Sequence, residues 1–260
     1  MKTVSDFFIP LDIEVSLPLE PFYFNDLNTV HPLCKIAADN LQAHLQMQTE
    51  WKHNFGLSNV DESAVIGKMF GVLVVLNGQN EIGYLTAFSG KLAGRNHLSK
   101  FVPPVFDGLA AESFVNEGML KLSRISNAIN TLEDDVSSDH SEQIEFLIAE
   151  RRDHSVLLQD KIFDKYNFIN SSGQQKSLKE IFRAAGYKNP PSGAGECAAP
   201  KLLQYAFMNN MKPIAMGEFW WGLSPKSETW KHGNFYFPCK EKCEPILKFM
   251  LGSITEKNNQ

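Results

Sequence analysis

The sequence predicts a mixed α/β fold: a small central sheet with flanking helices, into which an antiparallel helical hairpin is inserted. Three observations predict it. A run rich in β-branched and aromatic residues turns back on itself between residues 68 and 88. Two successive stripes of helical spacing, separated by a polar break, occupy residues 113–168. The last third then returns to alternating helix and strand texture. The chain accordingly divides into an α/β core, 1–112 with 169–260, and a helical hairpin, 113–168.

The first twenty residues, with Pro10 and Pro18 followed by Pro21, read as an extended arm. Pro32 suits a first helical turn, where a missing N–H costs nothing. Leu33, Ile36, Ala37, Leu41, Leu45 and Trp51 follow at near-helical spacing, which predicts a helix over about 31–53. The apolar stretch 68–76 and the return 82–88 flank Asn77-Gly78, a dipeptide that tolerates positive φ in a hairpin turn. Gly71 and Gly83 inside these strands point to bulges or close backbone approach.

Beyond Pro103-Pro104, residues Val115, Met119, Leu122, Ile125, Ile129 and Leu132 step by threes and fours, a narrow seam of coiled-coil type. The polar stretch 134–141 separates it from a second pattern with Ile144, Leu147, Ile148, Leu158 and Ile162. Two helices with a short polar joint form an antiparallel pair. After the loop 190–195, residues 196–208 read as a helix and 214–221 as a buried-type strand. A polar loop (224–233), a short strand at 235–237 and a final helix at 239–251 complete the order.

A chain of 260 residues, 43% apolar and 21% charged, can bury a real core. No apolar run approaches the roughly 20 residues a membrane-spanning helix needs. The opening Met1-Lys2-Thr3-Val4-Ser5-Asp6 has neither the apolar run nor the cleavage site of a secretory signal, so the expected location is cytoplasmic, with no membrane partner. A net charge of −5 argues against a surface that grips nucleic acid everywhere through phosphate neutralisation. It leaves room for a local basic patch.

Three of the four cysteines, Cys197, Cys239 and Cys243, fall in the last quarter of the chain. In a reducing compartment such a cluster points to metal or catalysis before a disulfide. Cys197 opens one predicted helix, and Cys239 with Cys243, one helical turn apart, opens another. Helix N-termini lower thiol pKa values, because unpaired amides and the dipole favour the anion. Three such thiolates make a zinc site with a fourth position for water or another ligand. The alternative is that the cysteines pack as small apolar side chains. Cys34, in the first predicted helix, reads as a core residue.

This order of a ligand opening a helix after a β-hairpin, then Pro238-Cys239-Lys240-Glu241-Lys242-Cys243 opening the next, resembles the zinc-dependent nucleoside deaminases. The resemblance implies a deaminase-like core with Cys197, Cys239 and Cys243 as zinc ligands. Two departures stand beside it. Three residues rather than two separate Cys239 from Cys243, and the position of the family's catalytic Glu is Ala199. Glu196, next to Cys197, is the nearest candidate for a catalytic acid, but lies on the other side of that cysteine.

A second set of segments covers more of the chain: residues 67–75, Ala87-Phe88-Ser89-Gly90, 101–107, 193–203, Glu218-Phe219-Trp220-Trp221-Gly222 and 232–243. These resemble the region that precedes the catalytic domain in long RluA-type RNA pseudouridine synthases. The family's catalytic Asp, in a His-Arg-Leu-Asp type of segment, has no counterpart here. What this implies is an accessory module of RNA modification that binds RNA or positions a partner synthase, without pseudouridylating on its own. Two other readings stay open: a zinc-dependent deaminase-like hydrolase acting on a base or nucleotide, and an interaction scaffold that uses the helical arm. For RNA contact the candidates are Lys91, Arg95 and Lys100, with His97, in one loop, and Lys226, Trp230, Lys231 and His232 in another. Either set also reads as an ordinary solvated loop.

Overall fold

A computed structural model describes residues 6–12, 22–57, 67–110, 113–135, 137–226 and 228–252. The chain forms two compact units, one from Met1–Val105 and Asn167–Gln260, the other Phe106–Tyr166. The fold is mixed α/β with small antiparallel sheets. Among the described residues no helix is long and apolar enough to cross a membrane. Of the expected N-terminal arm, residues 1–5 and 13–21 lie outside the described residues.

The first unit is built on a five-stranded antiparallel sheet of β1 (Ile9–Pro10), β2 (Lys68–Leu76), β3 (Ile82–Phe88), β6 (Lys212–Trp221) and β7 (Phe235–Tyr236), in the order β1-β3-β2-β6-β7. Strand β2 lies at its centre, antiparallel to β3 and to β6. Both faces of β2 are covered, which is why its sequence is a continuous apolar run rather than an alternation. Phe70, Val72 and Val74 share a core with Phe219, Trp221 and α1 (Pro32–Met47), whose buried face is Leu33, Cys34, Ala37, Ala38, Leu41 and Leu45. The other face of the sheet carries α5 (Ala198–Met208), and α6 (Glu244–Leu251) packs against that helix.

Helix α1 begins with Pro32 at its first turn, capped by the His31 ring accepting the Leu33 N–H. It stops at Met47, short of the expected residue 53. The Gln48 side chain bonds both the N–H and the carbonyl of Trp51, and this local turn ends the helix while still burying the indole. The 68–88 hairpin turns through Asn77 to Glu81, with the Asn80 N–H on the Asn77 carbonyl and the Asn77 N–H on the Glu81 carbonyl. The positive φ falls on Asn80 (61°), not on Asn77 or Gly78. This is a type I turn closed by a left-handed residue, which a three-residue loop requires. The register irregularity lies between Val74 and Val75 rather than at a glycine, and Gly83 instead lies under the Phe8 ring.

A second, two-stranded sheet joins β4 (Asn167–Ile169) to β5 (Gln175–Ser177), and Ser177 then caps α4 (Leu178–Ala184) through a reciprocal bond with Glu180. These short elements carry too little periodicity to be read from the sequence. The final helix begins at Glu244, five residues later than expected, because residues 239–243 form a separate turn.

The other unit contains α2 (Phe114–Asp134) and α3 (Ser141–Phe163). Their contacts run antiparallel: the His154 Nε2 lies 3.2 Å from the Gly118 carbonyl, and Lys121 pairs with Glu150 at 3.1 Å. The Leu158 methyl carbons sit where a Cβ on Gly118 would lie, at 2.6–2.7 Å, so only glycine allows this approach. Ile125, Ile129, Leu158 and Phe163 are buried, whereas Met119 and Ile148, both assigned to the apolar stripes, are exposed. A pair of helices buries one seam each and leaves the rest to solvent.

His44, in the last turn of α1, has a buried Nε2 that finds no partner among the described residues, and its Nδ1 faces the Lys100 ammonium at 3.5 Å. Burial first, then Lys100, hold its pKa below the ordinary 6.5; burial and Lys68 do the same for His53. A depressed histidine contributes stability that is present above the unfolded pKa and lost as pH falls through the folded one. Thermal unfolding followed by circular dichroism should therefore show a midpoint that drops between pH 7 and pH 5, with a shallower drop in His44→Gln.

Candidate metal centre

Helix α5 is reached through the loop 190–196, in which the Ala194 N–H bonds the Pro191 carbonyl and the Glu196 N–H the Gly193 carbonyl. Cys197 occupies the N-cap in extended conformation (φ −69°, ψ 159°) and makes no side-chain capping bond, so its thiol is not spent on the helix. After β7, the N–H groups of Cys243 and Glu244 both bond the Cys239 carbonyl, which closes one helical turn before α6. That turn brings the Cys239 and Cys243 sulfurs to 3.4 Å from each other. The Sγ atoms of Cys197, Cys239 and Cys243 all lie within 4.8 Å of one another. The structure thus brings together the three cysteines expected to converge. All are free thiols. Cys34 is apart from them in the core under α1, where burial pushes its pKa to about 12.

A fourth acidic group stands beside the sulfurs. Glu218, on β6, pairs with Gly71 on β2 and Tyr236 on β7 and is only 5% exposed. Its Oε1 accepts the Ala199 N–H at 3.1 Å. The carboxylate therefore supplies the cap that Cys197 does not, satisfying an amide of the first turn of α5. Burial, with a smaller push from nearby Cys239 and against the pull of the Ala199 amide, raises its pKa to about 7. Hydrogen bonding among the three sulfurs lowers the pKa of the Cys239 thiol, while that bonding together with burial raises those of Cys197 and Cys243. Four acidic groups in one small volume oppose each other's ionisation. A bound cation removes the conflict.

Lys201, one turn into α5, is a buried cation near this site and only 2% exposed. Its ammonium donates to the carbonyls of Phe88 (3.0 Å) and Gly90 (3.2 Å) and lies 5.3 Å from the Phe88 ring centre. It ties the end of β3 to α5; burial lowers its pKa, only partly offset by the field of Glu196 and Cys197. The helix can approach β2 because residue 71 is glycine: a Cβ there would meet Leu202 Cδ1 at 2.9 Å and Ala198 Cβ at 3.0 Å.

Zinc fits this donor set. Ligand distances near 2.3 Å place thiolates about 3.8 Å apart around a tetrahedral ion, within reach of side-chain rotation from the observed spacing. Cys197 and Cys239 are half-buried and Cys243 buried. Glu196 precedes the N-cap, with its carbonyl bonded by the Gly90 N–H; the carboxylate at the helix start comes from Glu218 instead. Glu218 and Lys201 were missed as site residues. Their one signal is a charge inside an otherwise apolar strand or helix, which a buried element carries only when the charge is paired.

The RNA-contact candidates take varied positions. Lys91, Arg95 and Lys100 are exposed on a loop pinned by buried Leu92 and Leu98. Trp230 stacks on Trp220 (5.9 Å, 19°) and meets Tyr236 edge-on, so the two nearest aromatic neighbours already use its ring. The His232 Nδ1 accepts the Gly222 N–H and its ring packs on Trp221. Lys226 is exposed, and Lys231 faces Glu228 at 3.7 Å. Comparisons with protein-family models, with curated proteins and with solved structures found no match for the chain.

Proposed function

We propose that this chain is a zinc-binding accessory module of RNA modification, which binds RNA or positions a partner pseudouridine synthase and does not pseudouridylate by itself. The observation that carries it is convergence. The segments that resemble the region preceding RluA-type catalytic domains lie far apart in sequence, yet most of them build one site. Residues 67–75 include β2, whose Gly71 seats α5, and Phe88 and Gly90 hold Lys201. Residues 193–203 carry Cys197, 218–222 carry Glu218, and 232–243 carry Cys239 and Cys243. Segments selected separately for packing would have no reason to share a cluster of ionisable groups. Lys91, Arg95, Lys100 and Lys226 offer exposed positive charge for phosphate contact.

Elemental analysis of purified protein should find about one zinc per chain. Cys197→Ala, Cys239→Ala and Cys243→Ala should each lose more affinity than the roughly 10–100-fold typical for an outer-shell partner. Binding to single-stranded RNA should weaken steeply with salt, and tritium release from uridine-labelled RNA should stay at background. Metal-free wild-type protein, or salt-insensitive RNA binding, would refute the corresponding half of the reading.

A second reading, a zinc-dependent deaminase-like hydrolase acting on a base or nucleotide, is favoured by one observation: a buried carboxyl group beside a three-thiol cluster. Three protein ligands with an exchangeable fourth are the arrangement of catalytic zinc. Turnover of a cytosine or adenine compound by the zinc-loaded protein would select it.

A further inference from the structure

Resting on the reading that the chain binds RNA, we propose that a cleft remote from the cysteines takes up one nucleotide of a single-stranded RNA, with the base against Phe22, Tyr23 and Phe207 and the phosphate on Lys212. The cleft has a volume of about 440 Å³ and lies where the C-terminal ends of α5 and α6 meet the start of β6 and the turn between β4 and β5. The cysteines lie at the N-terminal ends of the same helices. With 11 and 8 residues at about 1.5 Å each, α5 and α6 separate the two sites by roughly 12–16 Å.

The lining suits a base. Phe22, Tyr23 and Phe207 bring three half-buried aromatic rings, and the buried Met211 and Leu251 supply further apolar surface. Single-stranded RNA is held by stacking its splayed bases on such rings. Small-ligand sites have volumes of roughly 300–1,000 Å³, so a cleft of this size holds one nucleotide and not a helix. Its walls are tied by backbone bonds. The Phe24 N–H, next to Tyr23, donates to the Gly252 carbonyl, the Ser171 N–H to the Met250 carbonyl and the Met211 N–H to the Ala206 carbonyl. A cleft held in this way loses little freedom when it is filled.

The charge suits a phosphate at the rim. Lys212, exposed, shares the cleft with Ser171 and Asn210, and no carboxylate belongs to the lining among the described residues. The carbonyl ends of α5 and α6 disfavour an anion seated deep between them and favour N–H donors there. The base carries such donors and goes inside; the phosphate stays outside on Lys212. Residues close in the chain to the lining continue the alternation of ring and ammonium. Lys248 lies 5.4 Å from the Phe24 ring centre and Lys176 lies 5.1 Å from that of Phe249, both lysines exposed. Lys248 is shared with Glu244 at 2.6 Å, which leaves Lys212 as the cation with most to give.

The test uses the full chain with two probes, a short single-stranded RNA carrying 4-thiouridine and free uridine monophosphate. Ultraviolet cross-linking to the RNA, followed by peptide mapping, should place an adduct on Phe22, Tyr23 or Phe207. Phe207→Ala should weaken RNA binding about 5- to 150-fold, as expected for one lost stacking ring. Lys212→Gln changes only an exposed side chain, and should lower the slope of log affinity against log salt by about 0.7, one phosphate's share on a single strand. RNA bound by wild type with adducts confined to other peptides, or with the same salt slope in Lys212→Gln, overturns the proposal and leaves the RNA reading standing. Uptake of uridine monophosphate without the RNA strand makes the ligand a free nucleotide and overturns it as well. A wild type that binds neither probe removes the RNA reading itself, and this site with it.

Discussion

Gly71→Val is expected to lower stability by about 1–3 kcal/mol, the range typical of overpacking a well-filled interior, and to reduce zinc uptake with it. The new Cβ would stand 2.9 Å from Leu202 Cδ1 and 3.0 Å from Ala198 Cβ. Leu202 can rotate, but Ala198 has no rotamer to change, so relief requires α5 to lift from β2. Cys197 is the N-cap of that helix and Ala199 holds Glu218, so lifting it displaces one sulfur and the carboxylate together. Urea unfolding with and without zinc, beside metal stoichiometry, reads both effects. Added zinc should fail to restore the midpoint, because the substitution damages the site as well as the packing. Normal zinc content in a destabilised variant would show that seating α5 on β2 does not position Cys197.

The contrasting expectation is Phe219→Ala. Phe219 is fully buried and lies at the centre of an aromatic group, with ring centres 5.9 Å from Phe70, 6.0 Å from Phe235 and 6.5 Å from Trp221. Truncating a phenylalanine in such a core costs about 3–5 kcal/mol. Yet its side chain belongs to the core shared with α1, while Glu218 beside it reaches α5. The folded fraction should therefore keep its metal site. If, as proposed above, the three cysteines hold zinc in the folded state alone, a concentration 100-fold above Kd should restore about 2.7 kcal/mol. Recovery in Phe219→Ala without recovery in Gly71→Val separates the two faces of the sheet.

The sequence by itself determined the elements whose signal is periodic and local. The 68–88 hairpin was legible because the nine residues of β2 are rich in β-branched and aromatic side chains (Phe70, Val72, Val74 and Val75) and turn chemistry follows. Helices α2 and α3 were legible from apolar steps of three and four around a polar joint. That Cys239 and Cys243 share a side was legible from their spacing of four; that Cys197 meets them was an expectation implied by the resemblance to the deaminase arrangement. Element ends were not. Met47 ends α1 because a glutamine side chain bonds the Trp51 backbone, and Glu244 begins α6 because two amides share the Cys239 carbonyl. Neither bond has a period to detect.

Only the tertiary structure decided what the buried charges are for. Glu218 in an apolar strand has no local partner; its meaning comes from the Ala199 amide, nineteen residues away in sequence, across the sheet. Lys201 acquires its role from two carbonyls at the end of β3, more than a hundred residues earlier. Gly71 reads as a weak point in a strand until α5 is placed on it. The physical reason is common to all three. Periodicity records how a residue relates to its own element, whereas desolvating a charge or admitting a helix is settled by whatever atom arrives from another one.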